Sequence, residues 1–96
     1  MVDSENIFDK IKAACPEASP SASRRCNFTV MLLRSRDFPD GDDVCIRRLD
    51  CVAKIPKAGS RDSAIVITSD NKAFSVNILS ETEDCIYTRT LQEIAL

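Results

Sequence analysis

The chain contains no histidine, and only two of its 96 residues are glycine. Histidine is the commonest general base and a member of most nucleophilic triads, so its absence removes those triads altogether. Gly41 and Gly59 stand alone in separate stretches, which excludes a Gly-rich phosphate loop. Aromatic residues make up 5% of the chain and form no ribonucleoprotein-type motif for stacking bases. No apolar run approaches the ~20 residues a membrane-spanning helix needs. Asp3, Glu5 and Asp9 occupy the N-terminus where a signal peptide carries positive charge and an apolar core, so secretion is not expected. Together these absences point away from an enzyme and from any cofactor.

Cysteine is present but poorly arranged for metal or disulfide chemistry. Cys15, Cys26, Cys45, Cys51 and Cys85 are odd in number and contain no Cys-x-x-Cys pair. A structural zinc site needs four well-spaced ligands, and a secreted disulfide framework normally has an even count. The expectation is five free thiols, mostly packed as small hydrophobes, in a reducing compartment, cytoplasmic or nuclear. With 44% hydrophobic and 29% charged residues, the chain reads as one globular domain over 1–96. A net charge of −2 gives no bulk attraction for nucleic acid or an anionic membrane.

The best-specified stretch is residues 64–79, which reads as a β-hairpin. Ala64-Ile65-Val66-Ile67-Thr68 is apolar on both faces and belongs in the middle of a sheet. In the second arm Phe74, Val76 and Ile78 alternate with Ser75 and Asn77, the period of two of a half-buried strand. Ser69-Asp70-Asn71-Lys72 supplies the turn between them.

Upstream, residues 3–15 read as an amphipathic helix. Asp3 or Ser4 caps it, Ile7, Phe8, Ile11, Ala14 and Cys15 form its apolar stripe, and Pro16 stops it. Residues 16–25 read as a proline- and serine-rich linker. Residues 26–34 follow as a strand with Cys26, Phe28, Val30 and Leu32 on one face. The acidic stretch from Asp37 to Asp43 then makes a turn at Pro39-Asp40-Gly41. It fails the EF-hand template, because Pro39, Gly41 and Arg48 fall at ligand positions three, five and twelve.

Residues 43–55 alternate in two phases, Val44 and Ile46 in one and Leu49, Cys51, Ala53 and Ile55 in the other. The slip at Arg47-Arg48 predicts a β-bulge. At the end of the chain, Ser80-Glu81-Thr82-Glu83 matches a capping box, and Tyr87, Leu91, Ile94 and Ala95 have helical spacing. A C-terminal helix running to the end of the sequence is therefore expected. The competing reading of residues 85–88 as a short strand is the less favoured one. The predicted fold is α+β: an N-terminal helix, a four- to five-stranded antiparallel meander and a C-terminal helix.

Arginine placement is the main polar signal. Folding a hairpin about Asp40-Gly41 brings Arg34 and Arg36 near Arg47 and Arg48, and guanidinium forks suit carboxylate and phosphate. The expected function is non-catalytic: an intracellular protein-interaction or scaffold domain acting through a sheet edge or the terminal helix. A protein partner is expected and a homo-oligomer is compatible with the reading. The alternative is an RNA- or phosphate-ligand-binding domain using Arg34, Arg36, Arg47 and Arg48. The acidic balance and the scarcity of exposed aromatics make nucleic acid the less favoured partner.

Overall fold

The computed structural model describes residues 4–35 and 43–95. One helix, α1 (Ser4–Ala14), precedes a short 3₁₀ turn (Pro20–Ala22) and five strands. The strands are β1 (Arg24–Ser35), β2 (Asp43–Pro56), β3 (Ser63–Thr68), β4 (Ala73–Glu81) and β5 (Cys85–Ile94). Each pairs antiparallel with the next, and β5 returns to β1, so the sheet is a closed barrel. The β1–β5 pairing is parallel, Thr29 with Cys85, Val30 with Ile86, Met31 with Tyr87 and Leu32 with Thr88. Parallel closure is forced by the strand count. When five strands alternate in direction, the first and the last point the same way.

The α+β expectation is thereby overturned, and with it the C-terminal helix. β4 runs on to Glu81, so the predicted capping box is split between the last two residues of β4 and the turn that leads to β5. Instead of a helix cap, the Thr82 N–H donates to the Cys85 carbonyl at 2.8 Å. The helical spacing of Tyr87, Leu91 and Ile94 marks no common face: Leu91 packs with the cluster inside the sheet and Ile94 with the cluster outside it. Val76 pairs with Leu91 and Ile78 with Thr88, so β5 carries one extra residue between them. Ile86 and Leu91 therefore pack in the same cluster with buried Thr88 between them, at steps of two and then three. Burial on both sides of β5, rather than the local spacing, decided the outcome.

Two apolar clusters lie on opposite faces of the sheet. The first draws Phe28 and Val30 from β1, Cys51 from β2, Ala64 and Val66 from β3, Phe74 and Val76 from β4, and Ile86 from β5. Because every strand contributes, this cluster fills the barrel interior. The second joins Ile11 of α1 to Ala53 and Ile55 of β2, Ile65 and Ile67 of β3, and Ala73 of β4, with Ile7, Phe8 and Cys15 packed against it. The helix therefore covers the outer wall over β2 and β3. This explains why β3 is apolar on both faces: one faces the interior and the other faces α1. A single helix of eleven residues is marginal in water, and this docking supplies what its length does not. Arg25 adds a cation–π contact, its guanidinium 4.8 Å from the centre of the Phe8 ring.

Bulges let the strands bend around so small a barrel. Leu32 pairs with Arg47 and Leu33 with Cys45, leaving Ile46 as the extra residue, next to the slip expected at Arg47-Arg48. A second extra residue, Val52, separates the pairs of Cys51 with Thr68 and Ala53 with Ile67. It turns Cys51 into the interior and Ala53 and Ile55 out toward the helix, although all three share one sequence parity. Leu79 is the extra residue of β4 between Ile78 and Ser80. The exposed large hydrophobics among the described residues, Ile46, Val52 and Leu79, are the residues these bulges leave over.

Local chemistry fixes the connections. Asn71 takes a positive φ of 64° in the β3–β4 turn, a left-handed position that asparagine tolerates well. Thr68 closes that turn, accepting the Lys72 N–H on its hydroxyl at 3.0 Å and donating to the Asp70 carboxylate. That hydrogen bond is the main reason the Asp70 carboxyl is held below the usual carboxylate range, with Lys72 assisting. The segment between α1 and β1 is pinned to the end of β2. The Ser19 N–H donates to the Pro56 carbonyl at 2.9 Å, and Ala18 is fully buried. Residues 36–42, which include the expected Pro39-Asp40-Gly41 turn and Arg36, lie outside the described residues.

β1 and β2 are longer than the other strands. Among the described residues β5 has no pair with β1 past Leu32 and β3 none with β2 before Cys51, so both strands continue as a two-stranded arm. The molecule measures 51 × 27 × 25 Å as a result. Its radius of gyration is 13.8 Å, against the ~12.5 Å typical of a compact domain of this length.

Candidate functional site

The two ends of the barrel differ. At the end from which the arm projects, the Arg47 guanidinium lies 5.2 Å from the centre of the buried Phe74 ring and lids the interior. At the opposite end the parallel seam stops at Thr29 and Cys85, so residues 24–28 of β1 have no strand partner on that side among the described residues. A groove of about 510 Å³ opens there. Such a volume lies within the range of small-ligand and peptide side-chain pockets.

The groove is assembled from three places far apart in sequence. Phe28, Cys85 and Ile86, all buried, form its apolar floor. Arg24 and Lys54, cross-strand neighbours in the β1–β2 ladder, supply cationic groups. Glu81, Thr82 and Glu83 come from the end of β4 and the following turn, and exposed Cys26 completes the rim. Lys54 Nζ lies 2.7 Å from Glu81 Oε2, an ion pair that spans the mouth. Half-exposed pairs of this kind contribute little stability, about 0–1 kcal/mol. This one orders the two walls, and Arg24 is left without a carboxylate partner among the described residues.

The groove presents an exposed guanidinium, a paired ammonium, an apolar floor and a stretch of strand backbone without a strand partner among the described residues. A second concavity of about 350 Å³ on the outer wall is lined by Asn27, Thr29, Asp50, Val52, Ser69 and Asp84. Its two carboxylates lack a third ligand, and no group of three metal-ligating side chains occurs among the described residues.

The sequence-predicted arginines fall on the arm. Arg34 pairs with Val44, Arg47 with Leu32 and Arg48 with Met31. Residues directly opposite in a ladder share a face and successive residues alternate, so Arg34 and Arg47 share one face and Arg48 lies on the other. Arg47 is engaged with Phe74. Arg36 lies outside the described residues.

Sequence reasoning did not find the groove. The sequence pattern places Arg24 in a linker, and no local signal joins Lys54 to Glu81 across 27 positions. Only the closure of the barrel brings them together. Compared with known protein families, with curated proteins and with solved structures, the chain matches none.

Proposed function

We propose that this barrel is a non-catalytic protein-interaction module that takes an extended segment of a partner protein into the groove beside residues 24–28 of β1. The open stretch of β1 at the seam carries this reading. Unpaired strand backbone accepts an added strand, and pockets beside it select alternate side chains. The segment that fits carries an acidic side chain for Arg24 and an apolar one over Phe28 and Ile86. The C-terminal helix once expected as a second surface has no place in this proposal. The compartment we propose is reducing, cytoplasmic or nuclear, because the cysteine count is odd and no motif pairs the thiols.

The test is selection from a phage-displayed library of random nonamers, followed by isotherms with the purified peptides. Acidic–apolar sequences should be enriched. Their binding should shift amide resonances of residues 24–28 and 81–86, and should be lost both with Arg24→Glu and when alternate peptide amides are N-methylated. Peptides that bind Arg24→Glu as well as the parent chain, or that tolerate N-methylation, would sink the proposal. A selection that returns no binder counts equally against it.

A further inference from the structure

The longest open strand edge lies at the other end of the molecule. β3 pairs with β2 only from Cys51 onward, and the Asp50 carbonyl accepts the Ser69 N–H at 3.0 Å. The part of β2 from Asp43 to Leu49 therefore has no strand partner on that side among the described residues. Open edges invite promiscuous pairing, and proteins blunt them with bulges and charge. This edge has both devices: the Ile46 bulge, and Arg47 and Arg48. They discourage strands in general but leave one good match.

Read along β2, the edge begins acidic at Asp43, is apolar at Val44, Cys45 and Ile46, and ends basic at Arg47 and Arg48. An antiparallel copy of the same edge reverses that order, so acid meets base at both ends and apolar residues meet in the middle. The bulge then selects the register. Asp43, Cys45 and Arg48 lie opposite Ser35, Leu33 and Met31 of β1, and so occupy one face. Val44 and Arg47 lie opposite Arg34 and Leu32 and occupy the other. Only a register that sets Asp43 against Arg48 of the second copy, and Val44 against its Arg47, keeps both faces matched. Centring the pair on Cys45 instead would set Asp43 against Arg47, on the wrong face.

We propose that two copies of the chain associate through these β2 edges, antiparallel, with Asp43 against Arg48, Val44 against Arg47 and Cys45 against Ile46 about a two-fold axis. Asp43 already holds the Arg89 guanidinium at 2.9 Å, and in the dimer its carboxylate bridges Arg89 and the incoming Arg48. Ile46, 53% exposed in the single chain, is covered at the centre of the pair. The shared edge, residues 43–48, is only about six residues long, which places the contact at the weak end of specific interfaces. This surface is separate from the groove, so either proposal can fail without the other.

The experiment is light scattering and sedimentation of the full chain across a concentration series, with cross-linking as a second readout. The expected result is a concentration-dependent species of twice the 10.6 kDa chain mass. Ile46→Asp and Arg48→Asp should each weaken it by about tenfold or more, since both place like charge or buried charge at the contact. Combining Asp43→Arg with Arg48→Asp should restore it. In a Cys15→Ser, Cys26→Ser background, Cys45 is the remaining exposed thiol among the five. There a short bis-maleimide should link Cys45 to Cys45 of the second copy. A monomer at every concentration, a dimer indifferent to Arg48→Asp, or a double variant no better than Arg48→Asp alone would overturn the proposal.

Discussion

Replacing Thr88 with valine keeps the size of the side chain and deletes one hydroxyl at the place where β5 bulges. Thr88 is completely buried. Its Oγ1 accepts the Thr90 N–H at 3.2 Å and lies 2.5 Å from the Asn77 carbonyl and 2.8 Å from the Thr90 carbonyl. A hydroxyl has one proton to give, so it serves one carbonyl at a time while accepting from the N–H. The bulge has broken the regular ladder there, and the hydroxyl stands in for the missing strand partner. Valine leaves the Thr90 N–H and a carbonyl without that partner, and each lost hydrogen bond costs about 0.5–1.5 kcal/mol. Asn77 and Thr90 are exposed residues, so water replaces part of the bonding and a net loss of about 1–2 kcal/mol is expected. Urea unfolding followed by far-UV circular dichroism gives the number directly, and a loss of this size lowers the midpoint by about 1 M. Thr88→Ser is the matched control, because it keeps the hydroxyl and removes only a methyl, worth about 1 kcal/mol. Valine should therefore be the more damaging of the two. If Thr88→Val unfolds at or above the parent midpoint, or serine proves worse than valine, the hydroxyl is not holding the bulge.

Three further outcomes are expected. Asn71→Val in the β3–β4 turn should lower stability by about 1–2 kcal/mol, because a β-branched residue is forced to positive φ, while Asn71→Gly should be tolerated; equal midpoints for the two variants would refute this. Burial pushes the Cys51 thiol up to about 12, with the Asp50 and Asp70 carboxylates adding to the effect. The folded chain thus holds the proton more tightly than the unfolded one. Its contribution is complete below the unfolded thiol's pKa and is lost as pH rises through about 12. The alkaline limb of the stability curve should flatten in Cys51→Ala, and maleimide at neutral pH should label Cys26 and Cys45 well before Cys51, as mass spectrometry of digests can check. Ile11→Ala should cost about 2–5 kcal/mol in thermal or urea unfolding, since Ile11 is wholly buried between α1 and the barrel wall. A loss well under 1 kcal/mol would mean that the helix is not part of the cooperative unit.

How much of this was legible in the sequence depends on how local the cause was. The β3–β4 hairpin was readable because its alternation and its Asp70-Asn71 turn act over a few residues. The amphipathic helix was readable for the same reason, since one apolar stripe on a short helix demands a surface to cover. The slip near Arg47-Arg48 was visible as a break in parity, one residue from the bulge at Ile46. By contrast, the Val52 bulge left no trace, because Cys51, Ala53 and Ile55 continue one parity while facing opposite sides of the wall. The end of the chain was misread because a capping box and an i, i+4 spacing are weak local preferences. Burial of Ile86 and Thr88 between β4 and β1 outweighs them.

The sequence by itself determined the amphipathic helix, the β3–β4 hairpin, the two-sided burial of β3 and the absence of histidine. Each follows from residue types acting on near neighbours. Tertiary structure alone decided that the sheet closes, that closure is parallel and that β1 and β2 outrun it as an arm. Those features depend on the count and curvature of all five strands together. Closure also created the groove, since it sets Arg24 and Lys54 beside Glu81 and Glu83. No pattern along the chain encodes that meeting; it exists because the first strand and the last have to find each other.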